Sequence, residues 1–141
     1  MPQLNALLAS QELPVQQALA AILASHGITA IVTTTVDEAE HVLSRTPVSL
    51  IFCSDELPSA GIDRLVLQTG HKDKVPLVVV SRLDDWAQFL HFLQRGAFDY
   101  VVYPFERKEI ERVLKAALGR SELLKMDTVP HEMPRMLKKG A

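Results

Sequence analysis

The chain has 141 residues and a formal net charge of -2, from 15 lysine and arginine against 17 aspartate and glutamate. This length fits one domain with one core, and the balanced charge gives no basic patch for direct nucleic-acid binding. No apolar run approaches the roughly 20 residues that span a bilayer, and the lone Cys53 fits a reducing compartment. We therefore expect a cytoplasmic protein with neither a nucleic-acid nor a membrane partner.

Short apolar runs alternate with longer segments in which apolar residues recur every three or four positions. The runs are LNALLAS, TAIVTTT, VSLIFCS, VPLVVVS and FDYVVYP. Short apolar runs are typical of buried parallel strands, and the longer spacing is typical of the helices that cover them. Right-handed crossovers place those helices on both faces of the sheet. The pattern predicts an α/β fold with a doubly wound, five-stranded parallel sheet.

Start and stop signals give the first three helices. The first is predicted over residues 14–26, with Gly27 as its stop. The second follows Thr35, which can cap the helix while Glu38 closes a capping box. A shorter third helix is predicted after Gly61.

The last two helices and the end of the chain follow the same signals. The fourth helix is predicted to begin at Asp84 or Asp85 and to end at Gly96. The fifth begins near Glu106 and reaches about Lys125. The predicted organisation is one domain over residues 1–124 and a tail or linker over residues 125–141.

The carboxyl ends of the strands are the place to look for a function. In doubly wound sheets the ligand crevice lies outside these ends. The residues expected there are 10–12, 54–58, Ser81 and Tyr103. The five histidines are scattered without ligand-like partners, so a metal cage is not expected.

Three segments carry a resemblance to a known family. They are GAFDYVVYPF, VPLVVVS and the turn after the third strand, in which Pro58 precedes Gly61. Over residues 4–118 the chain resembles the receiver domains of two-component response regulators, the CheY-like family. The resemblance implies a phosphorylation site: an acid pair for Mg²⁺ after strand one, an acceptor Asp after strand three, a Ser or Thr after strand four and a Lys after strand five.

This chain departs from that pattern at most of the matching positions. With Gly27 as the anchor, the acid pair falls on Ser10 and Gln11, and the Lys before Pro104 is Tyr103. In the family the acceptor lies four residues before a Pro, and that Pro lies four residues before a Gly. The first spacing is kept from Ser54 to Pro58 and the second is one residue short at Gly61, so the acceptor position falls on Ser54. Only Ser81 has the residue type that the family has at its position. We therefore predict a degenerate pseudo-receiver that is not an enzyme, has no cofactor and acts through protein contacts.

Two alternatives stay open at this point. In the first, Asp55 is the phosphoacceptor of an atypical receiver, and Glu12 contributes to a makeshift Mg²⁺ site. In the second, the chain is a flavodoxin-like enzyme or ligand binder, although no Gly-rich loop or nucleophile–base pair supports it. The plainest interpretation of SDELP is a solvated turn.

The resemblance also implies a partner surface on the fourth helix, fifth strand and fifth helix. Tyr100 falls on the position of the family's switch aromatic, and the partner is a sensor kinase, an effector domain or a second copy in a homodimer. The alternative is that the aromatic residues are core and the charges only solubilise. The predicted surface residues are Trp86, Phe89, Phe92, Tyr100, Arg107 and Arg112.

Overall fold

The structure, a computed structural model, describes residues 4–70 and 75–118. The strands are β1 (Leu4–Ala9), β2 (Ile28–Thr33), β3 (Leu50–Ser54), β4 (Leu77–Ser81) and β5 (Asp99–Val102). The helices are α1 (Leu13–Ser25), α2 (Val36–Arg45), α3 (Ser59–Gly70), α4 (Trp86–Gln94) and α5 (Arg107–Leu118). The extension of the fifth helix to Lys125 and the tail over residues 125–141 lie outside the described residues.

All strand pairs are parallel, in the order β2-β1-β3-β4-β5. The prediction of a doubly wound sheet is confirmed. The central strands β3 and β4 are buried at every position, which explains their nearly continuous apolar runs, whereas the edge strand β2 is exposed or half-buried at four of its six positions. One face packs against α1 and α5 through residues such as Leu19 and Ile110. The other face packs against α2, α3 and α4 through residues such as Ala39, Leu65 and Phe89.

Local signals place most of the helix ends. Gly27 follows α1 with a φ of 75°, a left-handed conformation that favours glycine. Asp85 caps α4, and its carboxylate accepts hydrogen bonds from the backbone N–H groups of Ala87 and Gln88. Thr35 caps α2 by accepting from the N–H of Glu38 at 3.0 Å. The carboxylate of Glu38 accepts from the N–H of Thr34, one residue before the position of a standard capping box.

The prediction that α3 begins after Gly61 is wrong, because Gly61 lies inside the helix. The helix begins at Ser59, and the N–H of Gly61 donates to the carbonyl of Pro58 at 2.9 Å. A Cβ at position 61 would lie 2.5 Å from Cγ2 of Val36, at the start of α2. Gly61 is therefore explained by the close approach of two helices rather than by a turn.

The aromatic residues of α4 do not form the predicted surface. Phe89 and Phe92 are buried, and both rings pack on Tyr100, with centroid distances of 5.8 and 6.3 Å. Tyr100 itself has no exposed area. The prediction that these three side chains face a partner is wrong, because they fill the core between α4 and the sheet. Trp86 remains 40% exposed.

Among the described residues, no helix combines the length and the apolar character that crossing a membrane requires.

Candidate functional site

The strand ends bring the predicted positions together at one edge of the sheet. Ser10 follows β1, Ser54 ends β3, Ser81 ends β4 and Tyr103 follows β5. Ser54 is paired with Val80, and the N–H of Tyr103 donates to the carbonyl of Ser81 at 2.8 Å. The three serine side chains are buried. These strand ends form the crevice. Ser10 and Ser54 place hydroxyl groups where the resemblance implies carboxylates, and Ser81 places a hydroxyl where the resemblance implies one.

The carboxylate of Glu56 joins two of these strand ends. Its Oε1 accepts a hydrogen bond from Ser54 Oγ, and its Oε2 accepts from the backbone N–H of Gln11 at 2.5 Å. Ser10 Oγ lies 3.4 Å from Oε2 and also accepts from the N–H of Glu12 at 3.1 Å. The loop after β1 is thus held to the loop after β3 by one carboxylate.

Arg82 joins the loop after β1 to the loop after β4 and to the end of β5. Its Nε donates to Glu12 Oε1 at 2.6 Å, and its guanidinium carbon lies 4.8 Å from the ring centroid of Tyr103. A guanidinium at this distance from an aromatic ring is attracted to the ring face. The positive charge near Tyr103 is therefore supplied by Arg82, but it is already paired with Glu12.

Asp55 points toward α4. Its Oδ2 accepts a hydrogen bond from Gln88 Nε2 at 2.7 Å, and its backbone N–H donates to the carbonyl of Val80. Two residues earlier, inside β3, burial raises the pKa of the Cys53 thiol to about 12, and the negative charges of Glu56 and Asp55 add to the effect. Cys53 is thus a neutral, buried thiol at neutral pH.

Tyr100 lies inward and fixes the loop between β4 and α4. Its hydroxyl donates to the carbonyl of Leu83 at 2.8 Å, and the N–H of Leu83 donates to Ser81 Oγ at 2.9 Å. Burial is the main cause that raises the pKa of Tyr100. The position predicted for a switch aromatic therefore carries a buried ring whose hydroxyl is hydrogen-bonded to this loop.

The residues of the crevice do not fit a bound Mg²⁺. A hard cation needs several oxygen ligands, usually with carboxylates among them, and the two positions after β1 are Ser10 and Gln11. The nearby carboxylates of Glu12, Asp55 and Glu56 are hydrogen-bonded to Arg82, Gln88 and Ser54. No cluster of three or more metal-ligating side chains occurs in the part of the chain that the structure describes.

Sequence reasoning missed two residues of this site and the contacts of a third. Glu56 belongs to residues 54–58, which are expected at the strand ends, but its hydrogen bonds were not predicted, and Arg82 and Gln88 were not singled out. Glu56 lies two residues after Ser54 and Arg82 directly follows Ser81, so their nearness to predicted strand ends was an available signal. Gln88 carried no signal, since only the position of α4 brings it to Asp55.

Two charged residues of the predicted partner surface differ in their surroundings. Arg107 donates to Glu111 on its own helix at 3.1 Å and also to Ser25 Oγ at the end of α1. Arg107 thus contacts the end of α1 while its side chain stays exposed, and its place on a partner surface stays a prediction. Arg112 is half-buried.

Comparison of whole folds gives the clearest relationship. A two-component response regulator from Clostridium difficile superposes with a TM-score of 0.74 at 22% identity, over 85% of this chain and 99% of the other. The receiver domain of the sensor histidine kinase PA1611 from Pseudomonas aeruginosa gives a TM-score of 0.71 at 22% identity, over 84% and 99%. The chain has the fold of a response-regulator receiver domain. The PA1611 receiver domain was crystallised with a magnesium ion coordinated in its active-site cleft, whereas the receiver-like crevice described above lacks a fitting ligand set.

Sequence comparison supports the same assignment. An NtrX-like response regulator from Rickettsia felis is 28% identical over 126 residues, which are 87% of this chain and 26% of the relative. The transcriptional regulator ycf27 from Cyanidium caldarium is 22% identical over 105 residues, 74% of this chain and 42% of the relative. This receiver-like chain thus spans less than half the length of these two relatives. No protein-family model matches it.

Proposed function

We propose that the chain is a cytoplasmic receiver-like module of two-component signal transduction that acts through protein contacts and is not phosphorylated at its crevice. The observation that carries this proposal is that each crevice carboxylate is already hydrogen-bonded to a protein donor: Glu56 to Ser54, Glu12 to Arg82 and Asp55 to Gln88. The named roles of the relatives support the signalling part. The module has no catalytic activity of its own.

Charge explains why phosphoryl transfer is disfavoured. The transferring group carries negative charge that metal ions and basic side chains normally neutralise. Here Tyr103 is neutral, and the Arg82 charge is offset by Glu12 at 2.6 Å. A phosphodonor approaching Asp55 would also meet the carboxylate of Glu56, the next residue in the chain.

Acetyl phosphate is therefore expected to add no phosphoryl group to the protein. The protein is incubated with acetyl phosphate, with and without millimolar Mg²⁺, and its intact mass is measured by mass spectrometry. Asp55→Asn is treated in parallel. The expected result is no mass gain in any sample, because no bound metal assists attack.

The alternative function, an atypical receiver with Asp55 as phosphoacceptor, has an opposite outcome in the same experiment. A stoichiometric adduct of one phosphoryl group that needs Mg²⁺ and disappears in Asp55→Asn would establish it and reject the proposal. The side chain of Asp55 is half-buried, and its hydrogen bond from Gln88 would have to break for the carboxylate to react.

The partner surface in this proposal is smaller than the one predicted from sequence. The loop after β4 and the outer side of α4 expose Leu83, Trp86 and Leu90, which are 58, 40 and 37% exposed. Trp86 and Leu90 are four residues apart on α4 and therefore lie on one side of the helix, and Leu83 lies in the loop that precedes it. Exposed apolar residues in such a row are a typical contact surface for a protein partner.

Association through this surface is expected to be independent of phosphodonor and to weaken at least about tenfold in Leu90→Glu, because a buried unpaired charge is costly. Sedimentation velocity over a range of protein concentrations measures self-association. Leu67→Glu is the matched control, since Leu67 lies on α3 and is 62% exposed. If the wild type stays monomeric, the partner of this surface is a kinase or an effector domain and not a second copy. If Leu90→Glu and Leu67→Glu associate equally well, this surface is rejected.

A further inference from the structure

The most unusual feature of the crevice is that its hydrogen-bond donors converge on a carboxylate of the same chain. Ser54 Oγ donates to one oxygen of Glu56, and the N–H of Gln11 and Ser10 Oγ are directed at the other, at 2.5 and 3.4 Å. Ser10 and Ser54 are buried, whereas the residue Glu56 as a whole is exposed. The carboxylate thus reaches from the surface into a preformed set of donors.

Such a set of donors has the chemistry of an anion-binding site. Two hydroxyls and a backbone amide stabilise negative charge, and hydrogen bonds to a charged acceptor are about twice as strong as neutral ones. A cation would meet the positive ends of these same groups. The polarity of this crevice is therefore suited to a carboxylate rather than to a metal ion.

We propose that the strand-end crevice is a carboxylate-binding site whose permanent occupant is Glu56, which holds the loops after β1 and β3 in one arrangement without an external ligand. This proposal deepens the proposed function and rests on it in one respect, namely that no metal ion occupies the crevice. When the Glu56 side chain is removed, the same donors bind a small exogenous carboxylate.

The neighbouring contacts explain why the Glu56 carboxylate alone can hold the loops around the crevice in place. The loop after β1 also carries Glu12, which binds Arg82 of the loop after β4. The loop after β3 also carries Asp55, which binds Gln88 of α4. Glu56 joins these two pairs, so that the loops after β1, β3 and β4 and the start of α4 are connected around it.

Hydrogen exchange of the Gln11 amide tests the occupant directly. In the folded full chain this N–H is bonded to Glu56, and Gln11 is otherwise exposed. In Glu56→Ala the amide is expected to exchange at least about tenfold faster. The Ser10 amide, which donates to Thr33 at 3.0 Å, is the control and is expected to stay protected. Equal exchange of the Gln11 amide in both proteins would overturn the proposal.

Acetate tests the site itself, since its two carbons and two oxygens replace the atoms that Glu56→Ala removes. Titration of this variant with sodium acetate is expected to return the Gln11 amide resonance saturably toward its wild-type position, while sodium chloride at equal ionic strength does not. The double variant Glu56→Ala, Ser54→Ala is expected to lose the response. A response identical for both salts or both variants would contradict an anion site.

A third variant covers the case in which Glu56→Ala does not fold. Glu56→Gln keeps the shape and an acceptor oxygen but loses the charge, so the Gln11 amide resonance is expected to move upfield as its hydrogen bond weakens. An unmoved resonance would overturn the proposal. A phosphoryl adduct on a wild type whose Gln11 amide still depends on Glu56 would reject the proposed function alone, which keeps the two failures distinct.

Discussion

Replacing Phe92 with alanine is expected to lower the free energy of unfolding by about 3–5 kcal/mol, as for other buried phenylalanines. Phe92 is 6% exposed, and its ring stacks on Tyr100, which has no exposed area. The substitution leaves a cavity between α4 and the sheet. Urea denaturation followed by the fluorescence of Trp86, the single tryptophan, measures the effect.

Leu90→Ala is the matched control on the same helix. Leu90 is 37% exposed, so its loss is expected to cost less than about 1 kcal/mol. The two residues are two positions apart and therefore lie on different sides of α4. If Leu90→Ala destabilised the protein as much as Phe92→Ala, the orientation of α4 described above would be wrong.

The side of α4 that is buried could not be read from its sequence. The segment WAQFLHFLQ has apolar residues at six positions, and two different helical stripes fit them. The sequence interpretation placed Trp86, Phe89 and Phe92 together on the partner surface. The structure buries Phe89 and Phe92 because both rings pack on the inward ring of Tyr100 on β5. That contact joins two elements, and periodicity within one element carries no information about it.

The sheet could be predicted because the signal for each strand lies within a short stretch of sequence. The central strands contain short runs such as LLA and LVVV in which every position is apolar, and such runs are typical of a sheet buried on both faces. The strand ends follow from the same runs. The run VSLIFCS ends at Ser54, and the structure ends β3 at Ser54.

The contacts inside the crevice could be predicted only in part. Ser10, Ser54 and Ser81 come from strand ends, whose neighbours are set by the order of the sheet. Glu56 and Arg82 lie in loops, where the direction of a side chain depends on turn geometry rather than on a repeating pattern. The place of Glu56, two residues after β3, therefore indicated a position near the crevice, but not that its carboxylate turns back to Ser54.

Ser54→Asp is expected to destabilise the protein by about 2–4 kcal/mol, although it restores the residue type that the receiver resemblance implies. Ser54 Oγ donates to Glu56 Oε1, and the side chain of Ser54 is 3% exposed. The substitution replaces a donor with a second carboxylate, which loses a hydrogen bond to a charged group and adds like-charge repulsion in a partly buried place. Chemical denaturation at pH 7 measures the loss.

Three comparisons separate the causes of that loss. Ser59→Asp makes the same change at the exposed N-terminus of α3, where a negative charge is favourable, and is expected to change stability by less than about 1 kcal/mol. Adding Glu56→Gln to Ser54→Asp is expected to recover most of the loss, because it removes the repulsion. Millimolar Mg²⁺ is expected to stabilise Ser54→Asp but not the wild type, since a cation neutralises two facing carboxylates. If Ser54→Asp were as stable as Ser59→Asp, the Glu56 carboxylate would not lie against Ser54 in solution.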